Sequence, residues 1–200
     1  MKEYTSNKFS LSIERIYSGE MAKLIGICYP TKHEMKGNEK DEFDDRSHFI
    51  VIRQFGELVG YGRLTPGPNS VFYTWTNGKG EIPNSEQSID LGRCMLYPKF
   101  RGHDFLRVIC IVGFVIAKKL RYEYINGASL PGRGLISLLE EIGYEKSGNI
   151  VNLYDPLGAI VPIQLFTCNL NSNKANLPMM LSQQCEKLLA NGIELELNIE

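Results

Sequence analysis

Residues Leu96 to Phe114 read LYPKFRGHDFLRVICIVGF: a strand-like end, an Arg-Gly turn, then a long apolar stretch. Strand, glycine turn and helix in that order is how a chain builds an anion site, because the first helical turn leaves backbone N–H groups unpaired and pointing outward. The apolar run from Val108 to Ala117 is ten residues long, about half of the roughly 20 needed to span a bilayer. It is therefore expected inside a core-facing helix from about Asp104 to Leu120.

Upstream, Phe9 to Ile16 alternate apolar and polar as a half-buried strand does, and Ser18 offers an N-cap for a helix from about Glu20 to Cys28 that Pro30 ends. Thr31 to Arg46 is charged and poor in apolar residues, and reads as an exposed loop. HFIVIRQFGELVGYGRL then gives a hairpin, His48 to Gln54 and Leu58 to Leu64, around Gly56. Val71 to Thr76 reads as a further strand, followed by a wide loop and a strand from Ile89 to Leu96. Downstream come a strand at Glu123 to Ala128, a short helix at Gly134 to Ile142, and strands at Val151 to Tyr154 and Ile160 to Phe166. A polar NSNKAN linker leads to an amphipathic helix at about 178–190, and no internal repeat is present. The order predicts a single α/β (α+β) domain over 1–200, with a mixed, mostly antiparallel twisted sheet flanked by helices.

Composition excludes several partners. Two hundred residues with 43% hydrophobic content suffice for one sizeable core. A net charge of −1 gives no overall pull toward nucleic acid or anionic lipid. The five cysteines, Cys28, Cys94, Cys110, Cys168 and Cys185, share no C-x-x-C spacing and read as reduced thiols of a cytoplasmic protein. The polar N-terminus does not look like a signal peptide. Three scattered histidines, His33, His48 and His103, offer no metal-ligand spacing, so no metal is expected.

The order of elements resembles the GNAT acyltransferase fold, and LYPKFRG is similar to the V-x-P-x-Y-R-G opening of that superfamily's pyrophosphate loop. The usual glycines are replaced after Gly102 by His103, Asp104, Phe105 and Leu106. Asp104 brings negative charge to where a diphosphate would lie, and Leu106 a side chain where close backbone approach is needed, which disfavours free coenzyme A and leaves room for a single phosphate. Three further stretches resemble the branch of autoinducer synthases and N-acyl amino acid synthases. DEFD (Asp41 to Asp44) is similar to D-x-[FY]-D, GELVGYGRLTPGP (Gly56 to Pro68) to G-x-x-x-G-x-x-R-L-x-P, and DLGR (Asp90 to Arg93) to E-L-S-R. The resemblance covers about residues 18 to 167 and implies acyl transfer from acyl carrier protein to an amine.

Thioester aminolysis needs a neutral amine, yet an α-amino group with a pKa of about 8 is mostly protonated at pH 7. Asp90, at the position of the family's glutamate, is the candidate general base. Backbone N–H groups around Met95, Leu96 and Tyr97, on the strand before the turn, are the candidate oxyanion donors. Arg63 and Arg93 match the family's arginines, and two roles stay open for them: a bidentate hold on an acceptor carboxylate, or ion pairs with Asp41, Asp44 or Asp90 that brace the sheet. Asp41 and Asp44 are likewise substrate contacts or a structural turn. Trp75, with Phe72 and Tyr73, lines an acyl tunnel or packs the sheet.

Lys99, Arg101, Arg107, Lys118, Lys119 and Arg121 gather on the turn and its helix against Asp104 alone. The helix dipole accounts for the last three. Lys99, Arg101, Gly102, His103 and Arg107 are the expected contacts for phosphopantetheine and its acidic carrier protein. The expected activity is therefore an N-acyl amino acid synthase, taking a medium or long acyl chain from acyl carrier protein to an amino acid, an aromatic one such as tyrosine included, with no tightly bound cofactor. One rival is acyl-homoserine-lactone synthesis from S-adenosylmethionine. That branch shows R-x-x-x-F and a tryptophan where this chain has Lys23, Ile27 and no tryptophan before Trp75. The other rival is a non-catalytic acyl-binding module.

Overall fold

Period-two apolar patterning recurs along the chain, and in the computed structural model it builds, among the described residues, eight strands that join in one sheet. The structure describes residues 7–28, 40–79, 81–129, 131, 135–154 and 160–199. In chain order these form β1 (Asn7–Glu14), α1 (Gly19–Cys28), β2 (His48–Gln54), β3 (Glu57–Pro66), α2 (Val71–Trp75), β4 (Ser88–Leu96) and α3 (Phe105–Lys119). They continue with β5 (Tyr124–Ser129), α4 (Leu135–Glu141), β6 (Glu145–Tyr154), β7 (Ile160–Asn169), α5 (Leu177–Ala190) and β8 (Ile193–Asn198). The sheet order is β6-β7-β5-β4-β3-β2-β1-β8. Its described pairs are antiparallel except β4 with β5 and β1 with β8. A parallel pair needs a crossover, and α3 supplies it between β4 and β5.

The two faces of the sheet differ in what covers them. Ile89 and Leu91 of β4, Ile50 and Ile52 of β2 and Phe166 of β7 pack with α3, with Leu139 of α4 and with Leu177 and Leu188 of α5. Alternate residues, Phe49, Val51, Tyr61 and Met95, face α1 and pack with Met21, Leu24 and Ile25. Phe72 of α2 joins Phe43, Ile82 and Leu165. Close seating of α3 requires a glycine: a Cβ at Gly62 would lie 2.5 Å from Ile109 Cγ2. Among the described residues no helix is long and apolar enough to cross a membrane, and all five thiols are free.

Three elements differ from the sequence expectation. Val71 to Trp75, rich in β-branched and aromatic residues, is a helix, because the Phe72 N–H is taken by the Asp90 carboxylate at 2.8 Å and the Thr76 hydroxyl by Phe72 O at 2.9 Å. Tertiary contact here overrides strand propensity. β6 starts at Glu145, six residues before the expected strand, and its register with β7 shifts between Ser147 and Val151. β8 was not expected at all, and lies parallel to β1 at the sheet edge, Ile193 beside Asn7. Of the expected loop at 31–46, residues 31–39 with His33 lie outside the described residues. The remainder closes into a tight turn at Asp44–Arg46.

A splayed strand edge and a buried ion cluster

β4 and β5 run together only from Ser88 beside Tyr124 to Leu91 beside Gly127. β4 then continues to Leu96 and β5 to Ser129 without further pairing between them. On its other side β4 stays paired to β3, but with a bulge: Gly92 stands opposite Arg63 and Met95 opposite Tyr61, so that Arg93 and Cys94 share the space across from Gly62. Arg93 takes a left-handed φ of +46°, a conformation that costs a non-glycine residue of order 1–3 kcal/mol. The segment Gly92–Leu96 therefore has one edge parted from β5, with main-chain groups that lack a ladder partner there. Leu96 packs on the α3 side and Met95 on the α1 side.

Past Leu96 the chain makes a tight turn at Pro98–Phe100 and passes Gly102 at φ +88° and Asp104 at φ +59° before α3 begins. Asp104 stands at the N-cap but its carboxylate does not cap the helix. It pairs instead with Lys187 of α5 at 2.5 Å, and that hydrogen bond leads the effects that hold its carboxyl below the ordinary range. The charge Asp104 brings to the turn is thus partly balanced from α5, which the spacing of residues along the chain does not reveal. Arg107 pairs with Glu141 of α4, so it is not a free member of the basic cluster. Lys99, Arg101, Gly102 and His103 are exposed at the turn. Among the described residues no carboxylate pairs with Lys99 or Arg101, and Arg101 donates to Cys28 Sγ at 3.7 Å.

On the opposite face, the DEFD turn folds onto itself. Asp41 N–H donates to Asp44 Oδ2 at 2.9 Å and Phe43 N–H to Asp41 Oδ1 at 3.0 Å. This brings both carboxylates onto two arginines from the sheet. Arg63 Nη1 donates to Asp41 Oδ1 and Oδ2 at 2.8 Å each and to Asp44 Oδ1 at 2.7 Å. Arg93 Nη2 reaches Asp41 Oδ2 at 2.6 Å, and its Nη1 lies 3.2 Å from Asp44 Oδ2. The Arg63 side chain is 1% exposed and that of Asp44 is fully buried. Burial works to raise the Asp41 carboxyl, but the hydrogen bond and charge of Arg63, then the charge of Arg93, outweigh it and hold it low. Both arginines are ion-paired here, with Asp41 and Asp44 rather than with Asp90.

Asp90 sits two residues before the bulge on the same face, 1% exposed. Its Oδ2 accepts from Phe72 N–H at 2.8 Å and its Oδ1 from Asn126 Nδ2 at 3.0 Å. Burial raises its pKa against these bonds, and it is the one carboxylate among the described residues with a resolved upward shift. Trp75 is on α2 rather than a strand, 44% exposed and edge-on to Phe72, so it stands outside the buried cluster. Beside α2 a cavity of about 470 Å³ is lined by Phe43, Arg46, Tyr73 and Asn77 among others. The sequence did not single out Tyr17 and Tyr61, whose rings flank Phe49 beside the ion cluster. Their place on the α1-facing positions is the signal that was available.

No protein-family model and no curated protein sequence matches the chain. Solved structures match in fold. The AHL synthase LasI gives a TM-score of 0.63 at 15% identity, over 88% of this chain and 94% of LasI. A CoA-dependent acyl-homoserine lactone synthase, BjaI, with SAM and isopentyl-CoA, gives 0.67 at 9% identity over 96% and 92%. A Bacillus subtilis acetyltransferase in complex with CoA gives 0.56 at 13% identity over 80% and 98%. The chain has the GNAT fold, a mixed sheet flanked by helices, which it shares with AHL synthases and other acetyltransferases.

The ion cluster yields a stability prediction. Removing one partner of a buried pair typically costs about 3–5 kcal/mol, because the other charge stays buried and unpaired. Asp44→Ala is expected to lose that much in denaturant unfolding. Asp41 has a folded pKa below its unfolded one, so its contribution is present above an unfolded value of about 4 and is lost as pH falls through the folded value. Thermal melts from pH 6 downward should show a steeper loss for the parent than for Asp41→Asn; identical slopes would contradict the assignment.

Proposed function

We propose that the protein is an N-acyltransferase that joins a fatty acyl group, delivered as a phosphopantetheine thioester on acyl carrier protein, to the α-amine of an amino acid. The observation that carries this reading is the parting of β4 from β5 beyond Leu91. It leaves a strand edge with free main-chain donors between two faces of different character. On one face the turn and the first turn of α3 offer N–H groups and the exposed Lys99, Arg101 and His103 to a phosphate on an acidic carrier. On the other lie the ion cluster and Asp90, where an amine would arrive.

The thioester carbonyl lies along Gly92–Leu96, where the N–H groups that point away from β3, that of Leu96 among them, stabilise the oxyanion as it develops; Tyr97 N–H is already given to Val59 O at 2.9 Å, and alternation along the strand turns Met95 N–H toward β3 as well. The amine nitrogen attacks the carbonyl carbon and a C–N bond forms. The C–S bond then breaks, and sulfur leaves as the pantetheine thiolate, which takes up a proton. The amine's own proton passes to Asp90, whose raised pKa suits a base better than an ordinary carboxylate does. Arg63 and Arg93, with Asp41 and Asp44, fix the floor of the acceptor face. Solved neighbours include CoA-dependent synthases, so the fold does not choose the donor. Asp104 at the turn, its charge only partly balanced by Lys187, favours the carrier-borne single phosphate over a diphosphate; Leu106, expected to obstruct close approach there, packs instead against the core under α3.

Two measurements test this. Purified protein given acyl carrier protein thioester and a pool of amino acids should release thiol and form a product with the mass of an N-acyl amino acid, with a higher kcat/KM than for the same acyl chain on coenzyme A. Formation of an acyl-homoserine lactone from S-adenosylmethionine, or no thiol release from either donor, would contradict the reading.

Asp90→Asn should lower kcat by roughly 10² to 10⁴, the range for a lost general base, with part of the loss recovered as pH rises and more amine arrives neutral. The folded pKa of Asp90 is raised, so its contribution to stability is present below an unfolded value of about 4 and lost as pH rises through the folded value. The variant should therefore gain thermal stability relative to the parent toward neutral pH. A normally folded, fully active variant would end the general-base assignment.

A further inference from the structure

The ion cluster leaves three buried donors unused. Tyr17 Oη, Tyr61 Oη and Arg63 Nε are buried and find no hydrogen-bond acceptor among the described residues. Tyr61 and Arg63 are next-but-one neighbours on β3 and so share a face. Tyr17 stands just ahead of α1, its ring 5.9 Å from the Arg93 guanidinium. Phe49 lies between the two phenol rings, with centroids 6.0 Å from Tyr17 and 6.2 Å from Tyr61. Buried polar groups are nearly always paired, because an unpaired one forfeits its hydration without return. Three orphans beside the paired guanidiniums of Arg63 and Arg93 point to an occupant that accepts hydrogen bonds.

Charge and position narrow that occupant. Two arginines and two aspartates make the cluster neutral, so it has no pull on a polyanion such as a nucleotide phosphate. A zwitterion fits: its carboxylate takes the orphan donors and its ammonium faces Asp41 and Asp44. Tyr61 stands opposite Met95 on β4, beyond the point where β4 leaves β5. A ligand held here would have its amine beside the splayed edge. The cluster reaches solvent at Asp41 and Arg93, whose side chains are 26% and 13% exposed.

We propose that Tyr17, Tyr61, Arg63 and Arg93 form a carboxylate subsite that restricts the acceptor to α-amino acids and rejects simple amines. This rests on the acyltransferase reading above and specifies its acceptor. The two hydroxyls and the guanidinium Nε supply directed donors, and Phe49 packs against both phenol rings.

The test needs no acyl donor. Calorimetry measures binding of leucine, tyrosine, tryptophan and glycine, each against its decarboxylated amine, to the parent and to Tyr17→Phe and Tyr61→Phe. These variants keep the ring and remove only the orphan hydroxyl, so thermal melts should show no loss of stability. At least one amino acid should bind the parent more tightly than its amine. Each variant should weaken that amino acid roughly tenfold, the scale of one hydrogen bond to a charged group, and leave the amine's affinity close to its parent value. Equal binding of acid and amine, no binding by any of the four acids, or unchanged affinity in both variants overturns the subsite and leaves the donors to water only. Amide formation from acids and amines alike would remove the subsite while the acyltransferase reading stood. Amino acid binding through the tyrosines with no thiol release would do the reverse.

Discussion

A guanidinium with 1% of its side chain exposed is the constraint around which this molecule is arranged. An unpaired charge at that depth would carry a desolvation penalty of several kcal/mol, so Arg63 must be met by carboxylates. The DEFD turn supplies them by folding Asp41 and Asp44 down onto β3. Arg93 completes the balance, and reaches it through a left-handed bulge that puts Gly92 and Arg93 on the same side of the sheet. A strained backbone and a buried ion cluster thus support one another. Their consequence is local: β4 stays paired with β3 through the bulge on one side while its other edge is left open beyond Leu91.

That open edge divides the molecule by chemistry as well as by geometry. The α3 face is apolar under the helix and polar only at the turn, where main-chain N–H groups and exposed cations gather. The α1 and α2 face carries the ion cluster, Asp90 and the tyrosines. Asp90 is tied to both neighbours of the cleft, to α2 through Phe72 and to β5 through Asn126. A thioester and an amine that met at the edge would come from opposite sides, each on a surface of suitable charge. Lys187 of α5 contributes to the donor side by pairing with Asp104, which joins the C-terminal helix to the turn.

Where one periodicity dominated, the sequence was sufficient. The β2–β3 hairpin, β4, α3 and α5 lie within a residue or two of expectation, because each has a clear apolar alternation or helical stripe. Val71–Trp75 misled because its residue types favour a strand, while the deciding contact comes from Asp90, many residues away in sequence. β8 was overlooked although IELELN alternates plainly; a short edge strand after a helix draws attention only once β1 is known to need a partner. The ion cluster was half legible: the residue types named its members, but nothing along the chain could say which carboxylate meets which arginine. Tyr17 and Tyr61 were invisible for another reason, since a buried tyrosine reads as core until its hydroxyl is found without a partner.

The central claim is that a thioester lies along the free edge of β4 with its phosphate at the start of α3. Backbone amide shifts during titration with a stable thioether analogue of an acyl-phosphopantetheine measure this directly. The largest changes are expected at Gly92–Leu96 and at Phe105–Arg107, with smaller ones across the sheet at Gly127–Ser129. Changes concentrated instead at the cavity beside Tyr73, or no saturable change along β4, would contradict the account.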